Sequence, residues 1–264
     1  MSEAGIEEGI EEGVEAPERH IRFEQAFNFR DLGGHPTVDG RTTRWRRLFR
    51  SDAMYAFSDA DRARLTDELG VRAVIDLRDP GSVKRGPANV DQSVTVHHVQ
   101  FMDDAALRAY GERWGSVPST GWYLDVLRSA EEMGNVRRAF EILSRPETYP
   151  AAFNCSLGKD RAGLVAALVL ATLGVEDAVT IADYEYSAEN MAPIKERVAR
   201  ARAARADNPL KLTPLKDESF LAEGSWMQGV LDTLRERHGS VRGYIEAQGV
   251  SAEALDRLSD LLLE

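Results

Sequence analysis

The sequence predicts an α/β fold in which helices cover both faces of a central sheet. Three observations predict it. Short β-branched segments, Val71–Leu77 and Val94–Val99, alternate with segments of helical periodicity. Leu164–Leu173 is apolar on every face, the pattern of a helix buried in a core. No linker rich in Pro, Gly or Ser and no internal repeat interrupts the chain after about His20.

Residues 1–18 hold seven glutamates (Glu3, Glu7, Glu8, Glu11, Glu12, Glu15 and Glu18) and no Lys or Arg. With glycines throughout and few large apolar side chains, this stretch is expected to be a disordered acidic tail; the alternative is a short amphipathic helix that docks on a partner. Residues 19–264 are expected to form a single domain. Gly33-Gly34 marks a turn and Asp39-Gly40 a hairpin-like one, with a short strand at Leu48–Arg50. Ser58 is an N-cap for a helix running to about Leu69 and ending at Gly70. The strands at 71–77 and 94–99 follow, then helical periodicity over 103–145 with a break around Gly115–Thr120. Tyr149–Phe153 is a brief apolar strand leading at once into the glycine-containing segment Cys155–Gly163 and the buried helix, which Gly174 ends. Further helices are expected at about 176–189, 191–206, 225–238, 240–247 and 251–263.

Composition bounds the function. Apolar and charged fractions of 43% and 29% are those of a soluble globular protein. No stretch approaches the roughly 18 apolar residues of a membrane span, and the acidic N-terminus does not read as a secretory leader. The formal charge of −11 argues against general nucleic-acid binding, and without the seven glutamates it falls to −4, a mildly acidic body. One cysteine forms neither an internal disulfide nor a thiolate metal site, so a cytoplasmic location is expected.

The informative segment is Cys155-Ser156-Leu157-Gly158-Lys159-Asp160-Arg161. A cysteine stands six positions before an arginine, between a short strand and a buried helix. Backbone amides of a tight loop at a helix N-terminus converge into an anion-binding nest. Such a field brings a cysteine from its ordinary pKa near 8.5 down to roughly 3.5–7.5. The thiolate then attacks phosphorus and divides hydrolysis into formation and breakdown of a phosphocysteine. An arginine fork grips two equatorial oxygens, more tightly as charge develops on them.

CSLGKDR resembles the Cys-x-x-Gly-Lys-Asp-Arg signature of the bacterial tyrosine phosphatases of dual or triple specificity, which are similar to phosphoinositide phosphatases. The resemblance runs from about Phe27. Asn28–Gly34 resembles that family's NFRDLGG, Leu48–Ala53 its LYRSDAL and Val74–Arg78 its VIDLR. Asp183-Tyr184 with Ser187 is similar to its DYxLS, and Gly239-Ser240-Val241 with Tyr244 and Gly249-Val250 to its tail. The resemblance implies a cysteine-phosphatase-like central sheet of four or five strands flanked by helices, a phosphomonoester hydrolase, and neither metal nor cofactor. Two positions depart from the pattern. Asn154 stands where the family has histidine, and Ala162 where it has a hydroxyl residue. The first is expected to weaken thiolate stabilisation, with a hydrogen bond from asparagine as partial compensation. The second is expected to slow departure of the thiolate from phosphorus.

The resemblance makes Cys155 the nucleophile, where a lone cysteine is ordinarily a small buried hydrophobe. Ser156, Leu157, Gly158, Lys159, Asp160 and Arg161 are the expected phosphate-binding residues. Lys159 and Asp160 would otherwise read as a solvated ion pair. The match makes Lys159 an extra phosphate contact and Asp160 the first choice for the acid that protonates the leaving oxygen. Asp79 is the second choice, and Asp103 and Asp104 the third. Arg30 and Asp31 are expected to brace the loop from outside. His97 and His98 read as strand residues, one buried and one exposed. The basic run Lys195, Arg197, Arg200, Arg202, Arg205, Lys211 and Lys216 is either a solvated face or part of a helical lid near 191–221.

The leading function is a phosphomonoester hydrolase acting through phosphocysteine. The alternatives are a phosphate-binding module of little or no turnover, favoured by Asn154 and Ala162, and a phosphatase for a small metabolite or nucleotide. Sulfur transfer by a similar loop is a poorer rival. A phosphoprotein, a phosphoinositide or a small metabolite all remain open as the anionic phosphate ester. Lys159 beside Arg161 leans towards a substrate with additional negative charge.

Overall fold

The computed structural model describes residues 18–103, 117–203 and 216–264. Five strands, β1 (Arg30–Asp31), β2 (Leu48–Ser51), β3 (Ala73–Asp76), β4 (Thr95–His98) and β5 (Ala151–Asn154), form one sheet in the order β1-β2-β5-β3-β4. β2, β5, β3 and β4 run parallel, and β1 is antiparallel to β2. The expected α/β sheet flanked by helices is therefore present. β5 enters between two strands laid down far earlier in the chain, with Asn154 beside Ser51 on one side and Asp76 on the other. Ligands of parallel sheets bind beyond the carboxyl ends of the strands. Cys155 emerges at that end of the central strand.

Strand alternation divides the core in two. Leu48, Ile75, Ala151 and Phe153 face one cluster; Phe49, Val74 and Ala152 face the other. On the first face pack α3 (Thr120–Glu132), α4 (Asn135–Leu143), α5 (Asp160–Thr172), α8 (Gly224–His238), α9 (Val241–Ala247) and α10 (Ala252–Leu262). α5 is buried along almost its whole length from Ala162, which explains its lack of an apolar stripe. It begins at Asp160, a turn earlier than its apolar run indicates, because its first turn belongs to the loop.

The second face is covered by the π-helical turn Arg64–Glu68, which continues α1 (Asp59–Ala63), and by the segment around Ile21–Phe29. Ser58 caps α1 as expected, accepting from the Asp61 amide while Asp61 accepts from Ser58. The short helix α2 (Pro80–Arg85), not expected from the sequence, has Asp79 as N-cap and Pro80 in the first position. The expected contrast between His97 and His98 is corrected, since both are half-buried. β4 is an edge strand, so neither of its faces is fully covered. Toward the C-terminal half come α6 (Asp177–Glu185), a 3-10 turn at Tyr186–Asn190, α7 (Met191–Ala203) and a further 3-10 turn at Asp217–Phe220. The expected tail up to residue 17, Asp104, and the lid residues 204–215 lie outside the described residues.

Candidate active site

β5 ends at Asn154 and α5 begins at Asp160, so five residues turn the chain from the sheet into the helix. Gly158 makes that turn with φ of +69°, in the left-handed region that side chains disfavour. The loop also lies against the end of β2. A Cβ on Gly158 would stand 2.6 Å from the Asp52 amide nitrogen and 2.7 Å from the Ser51 carbonyl carbon.

Four consecutive carbonyls of the loop are held from outside. Arg197 Nη2 donates to Ser156 O at 3.4 Å and Asn28 Nδ2 to Leu157 O at 3.1 Å. Arg50 Nη2 donates to Gly158 O at 2.8 Å and to Lys159 O at 3.3 Å. With the carbonyls pinned outward, the amides turn to the concave side. Among the described residues, the amides of Ser156, Leu157, Gly158 and Lys159 donate to no protein acceptor. The first turn of α5 has no side-chain cap, so its orphan amides join the same concavity. Cys155 lies at its base, 1% exposed and unbridged.

The clamp is fixed by a buried ionic cluster. Asp183 accepts from Arg30 Nε at 2.8 Å and pairs with Arg50 Nη1 through its other oxygen, with all three side chains buried. Burial alone would raise Asp183, but Arg30 and Arg50 hold it well below the usual carboxylate range. Arg30 further donates to Asn28 Oδ1 at 2.5 Å and Ser187 Oγ at 3.0 Å, and so orients the asparagine that holds Leu157. Arg197 is locked by an ion pair of 2.7 Å with Asp52.

Arg161 reaches back over the loop. Its Nη2 donates to Ser156 Oγ at 3.1 Å, and its Nη1 lies 3.4 Å from Leu77 O and 3.7 Å from Asp79 Oδ2. Asp79 is 2% exposed and accepts from the Ser82 amide at 2.7 Å. Burial works against its ionisation, yet the Ser82 hydrogen bonds and Arg161 together hold it below the ordinary value. Asp160 keeps 16% of its side-chain surface exposed and accepts from Tyr123 Oη at 2.7 Å.

Lys159 is fully buried. Its ammonium donates to Ser219 O at 2.9 Å and Leu221 O at 2.6 Å and lies 3.1 Å from Asp160 Oδ1. What Lys159 presents to the concavity is its backbone amide. The leaning towards a multiply charged substrate, which rested on its free charge, therefore loses its basis. Alternation along β5 turns Asn154 to the side of Ala152, away from Cys155 and Phe153. There it is fully buried, and among the described residues neither atom of its amide finds a hydrogen-bond partner. The expected compensation for the missing histidine is not made in this geometry. Ala162 is fully buried against the core, one position past Arg161.

α7 and the 217–220 turn cover the outer wall. Leu157 packs with Met191, Ile194 and Phe220 in a small cluster of its own. Of the basic run, Arg197 is buried on the loop, whereas Lys195 is exposed and ion-paired with Asp217. Asn28, Arg50, Asp183 and Arg197 gained no specific role from the sequence, although the first three lie in the segments on which its resemblance rests. Tyr123 left no signal at all.

The described helices include none long and apolar enough to cross a membrane. The model of a family described as the tyrosine phosphatase family matches residues 21–264. The triple specificity protein phosphatase PtpB of Mycobacterium tuberculosis is 28% identical over 272 residues, spanning 90% of this chain and 97% of that protein. A tyrosine-protein phosphatase of Nostoc commune is 26% identical over 214 residues, spanning 76% of this chain and 69% of the relative.

Proposed function

This chain belongs to the tyrosine phosphatase family, and we propose that it hydrolyses phosphate monoesters with Cys155 as nucleophile, Arg161 as transition-state clamp and Asp160 as general acid. The observation that carries this reading is the outward anchoring of four successive loop carbonyls, which leaves the amides above the Cys155 thiol for an oxyanion.

Cys155 Sγ, as thiolate, attacks phosphorus from within the ring of amides. The ester P–O bond breaks and its electron pair takes a proton from Asp160. Ser156 through Arg161 bind the equatorial oxygens through backbone amides, and the Arg161 fork adds two donors once it swings from Ser156 Oγ and Leu77 O. Asp79, held ionised and beside Arg161, suits orienting that guanidinium better than donating a proton. In the second half, water gives a proton to Asp160 and attacks phosphorus, releasing phosphate and the thiolate.

Two relatives are named as a triple specificity and a tyrosine phosphatase, so phosphotyrosine is the substrate we propose to be tried first. Residues 19–264 act as one catalytic unit, with 191–221 as lid, a role supported by the packing of Met191, Ile194 and Phe220 on Leu157. A cysteine that must stay a thiol supports a cytoplasmic setting. The deciding experiment is phosphate release from p-nitrophenyl phosphate and a phosphotyrosine peptide. Cys155→Ser should abolish turnover while still binding vanadate. Full activity in that variant would remove Cys155 from the mechanism.

A further inference from the structure

Tyr123 stands on α3 and Tyr184 on α6, and their hydroxyls meet at 2.6 Å in the core beneath Asp160. Tyr123 Oη is also 2.7 Å from Asp160 Oδ1, to which it donates. A phenol has one proton. Since that of Tyr123 goes to the carboxylate, Tyr184 donates to Tyr123, and the chain of donation runs from Tyr184 through Tyr123 to Asp160 Oδ1. The Lys159 ammonium faces the same oxygen at 3.1 Å. Oδ1 is thus met by one hydrogen-bond donor and one ammonium charge, whereas Oδ2 makes no hydrogen bond to any described residue.

The pair is built into the fold. Tyr123 and Tyr184 are both fully buried, with ring planes at 88° and centroids 5.9 Å apart. Tyr184 lies so close over Gly163 that a Cβ there would stand 3.0 Å from its ring. Its neighbour Asp183 is the residue that pins Arg30 and Arg50. Burial first, then the charge of Asp160, raises Tyr123 well above an ordinary phenol, so it remains a donor at any working pH. Glu223 and Arg50 face Tyr184 with opposite charges, and Lys159 and Arg161 flank Asp160 in the loop.

We propose that Tyr123, backed by Tyr184, is a positioning residue that occupies Asp160 Oδ1 and so assigns the transferable proton to Oδ2. Neutral Asp160 then carries its proton on Oδ2, which among the described residues faces no donor. When the proton leaves with the ester oxygen, the new carboxylate is stabilised by Tyr123 and Lys159, and in the second step the same Oδ2 takes a proton from water. This inference rests on the proposed role of Asp160.

The test is Tyr123→Phe, which removes one hydroxyl and keeps the ring, measured on an alkyl and an aryl phosphate across pH. Loss of a donor to a charged group should lower kcat on the alkyl ester by about tenfold or more, with a smaller loss on p-nitrophenyl phosphate. The basic limb of the pH profile should move upward, because the carboxylate has lost stabilisation. Tyr184→Phe should act in the same direction and more weakly. In an Asp160→Asn background, Tyr123→Phe should change neither rate further. If Asp160→Asn leaves the leaving-group dependence intact, the acid assignment itself fails. If Asp160→Asn abolishes it while both phenylalanine variants keep the wild-type profile and leaving-group dependence, the positioning role alone is overturned. A lower Tm with unmoved pH profile and leaving-group dependence would make the tyrosines merely structural, and would overturn it as well.

Discussion

Replacing Gly158 with alanine tests the loop geometry at its tightest point. Two effects add. A side chain at φ of +69° costs about 1–2 kcal/mol. The new methyl would sit 2.6 Å from the Asp52 amide nitrogen, 2.7 Å from the Ser51 carbonyl carbon and 2.9 Å from Asn28 Nδ2. Two of these three atoms are backbone at the end of β2 and cannot rotate away. Overpacking of that kind costs about 1–3 kcal/mol, so the sum is roughly 2–5 kcal/mol. At about 2–4 °C per kcal/mol for a protein of this size, Tm should fall by roughly 4–20 °C. Gly40→Ala is the internal control, since Gly40 has φ of +87° with nothing within 4 Å of the added atom. It should show the backbone cost alone. Relief of the clash moves the loop off Ser51, carrying the amides away from Cys155, so kcat/KM should fall in Gly158→Ala and hold in Gly40→Ala. Equal Tm losses in the two variants, with activity retained in both, would refute the claim that contact with β2 shapes the loop.

Asp183→Asn removes the charge that pairs two buried arginines, and breaking such a cluster costs about 3–5 kcal/mol; denaturant titration should show that loss together with a collapse of kcat, and stability within 1 kcal/mol of wild type (on the order of RT-scale scatter) would contradict it. His35 is buried with Nε2 facing Arg19 at 2.9 Å, and a guanidinium only donates, so the ring is neutral with its proton on Nδ1. Burial and then Arg19 lower its pKa from 6.5 to about 4. Between these values the unfolded chain binds a proton that the folded chain does not, so stability should be complete above pH 6.5 and fall as pH drops towards 4, by about 3 kcal/mol at most. His35→Gln keeps an acceptor and should flatten that slope; an unchanged slope would assign it elsewhere. Ala162→Ser adds a hydroxyl one position past Arg161 with less bulk than threonine in a fully buried site. Rapid mixing should show a burst of released phenol in wild type that shrinks in the variant as the steady rate rises, and an unchanged burst would mean that breakdown of phosphocysteine does not need the hydroxyl.

Much of the architecture was legible because its signals are local. The run at 71–77 marks β3 and the run apolar on every face marks α5, because burial on both sides of a strand or around a helix leaves a pattern within a few residues; β4, at the sheet edge and only partly covered, was legible from its β-branched residues alone. The brief β1 and the helix at 80–85 were not legible. Two residues carry no period, and Asp79-Pro80-Gly81 suits a turn and a capped helix start equally.

Within the site, the sequence by itself determined which residues form the loop, since Cys155 through Arg161 are contiguous and lie between a strand and a helix. Only the tertiary structure decided which way each group faces. The carbonyls of Ser156, Leu157 and Gly158 are held by Arg197, Asn28 and Arg50, at sequence separations of 41, 129 and 108 residues, and no local pattern encodes such a partner. The same holds for Lys159, a loop charge in the sequence and a buried tether to Ser219 and Leu221 in the fold. Its direction is set by where α5 begins and by which carbonyls face it across the loop, and both depend on the packed chain. Asn154 and Cys155 are adjacent in sequence, yet Asn154, the last residue of β5, turns to the side of Ala152, while Cys155, the first residue of the loop, packs with the cluster that holds Phe153.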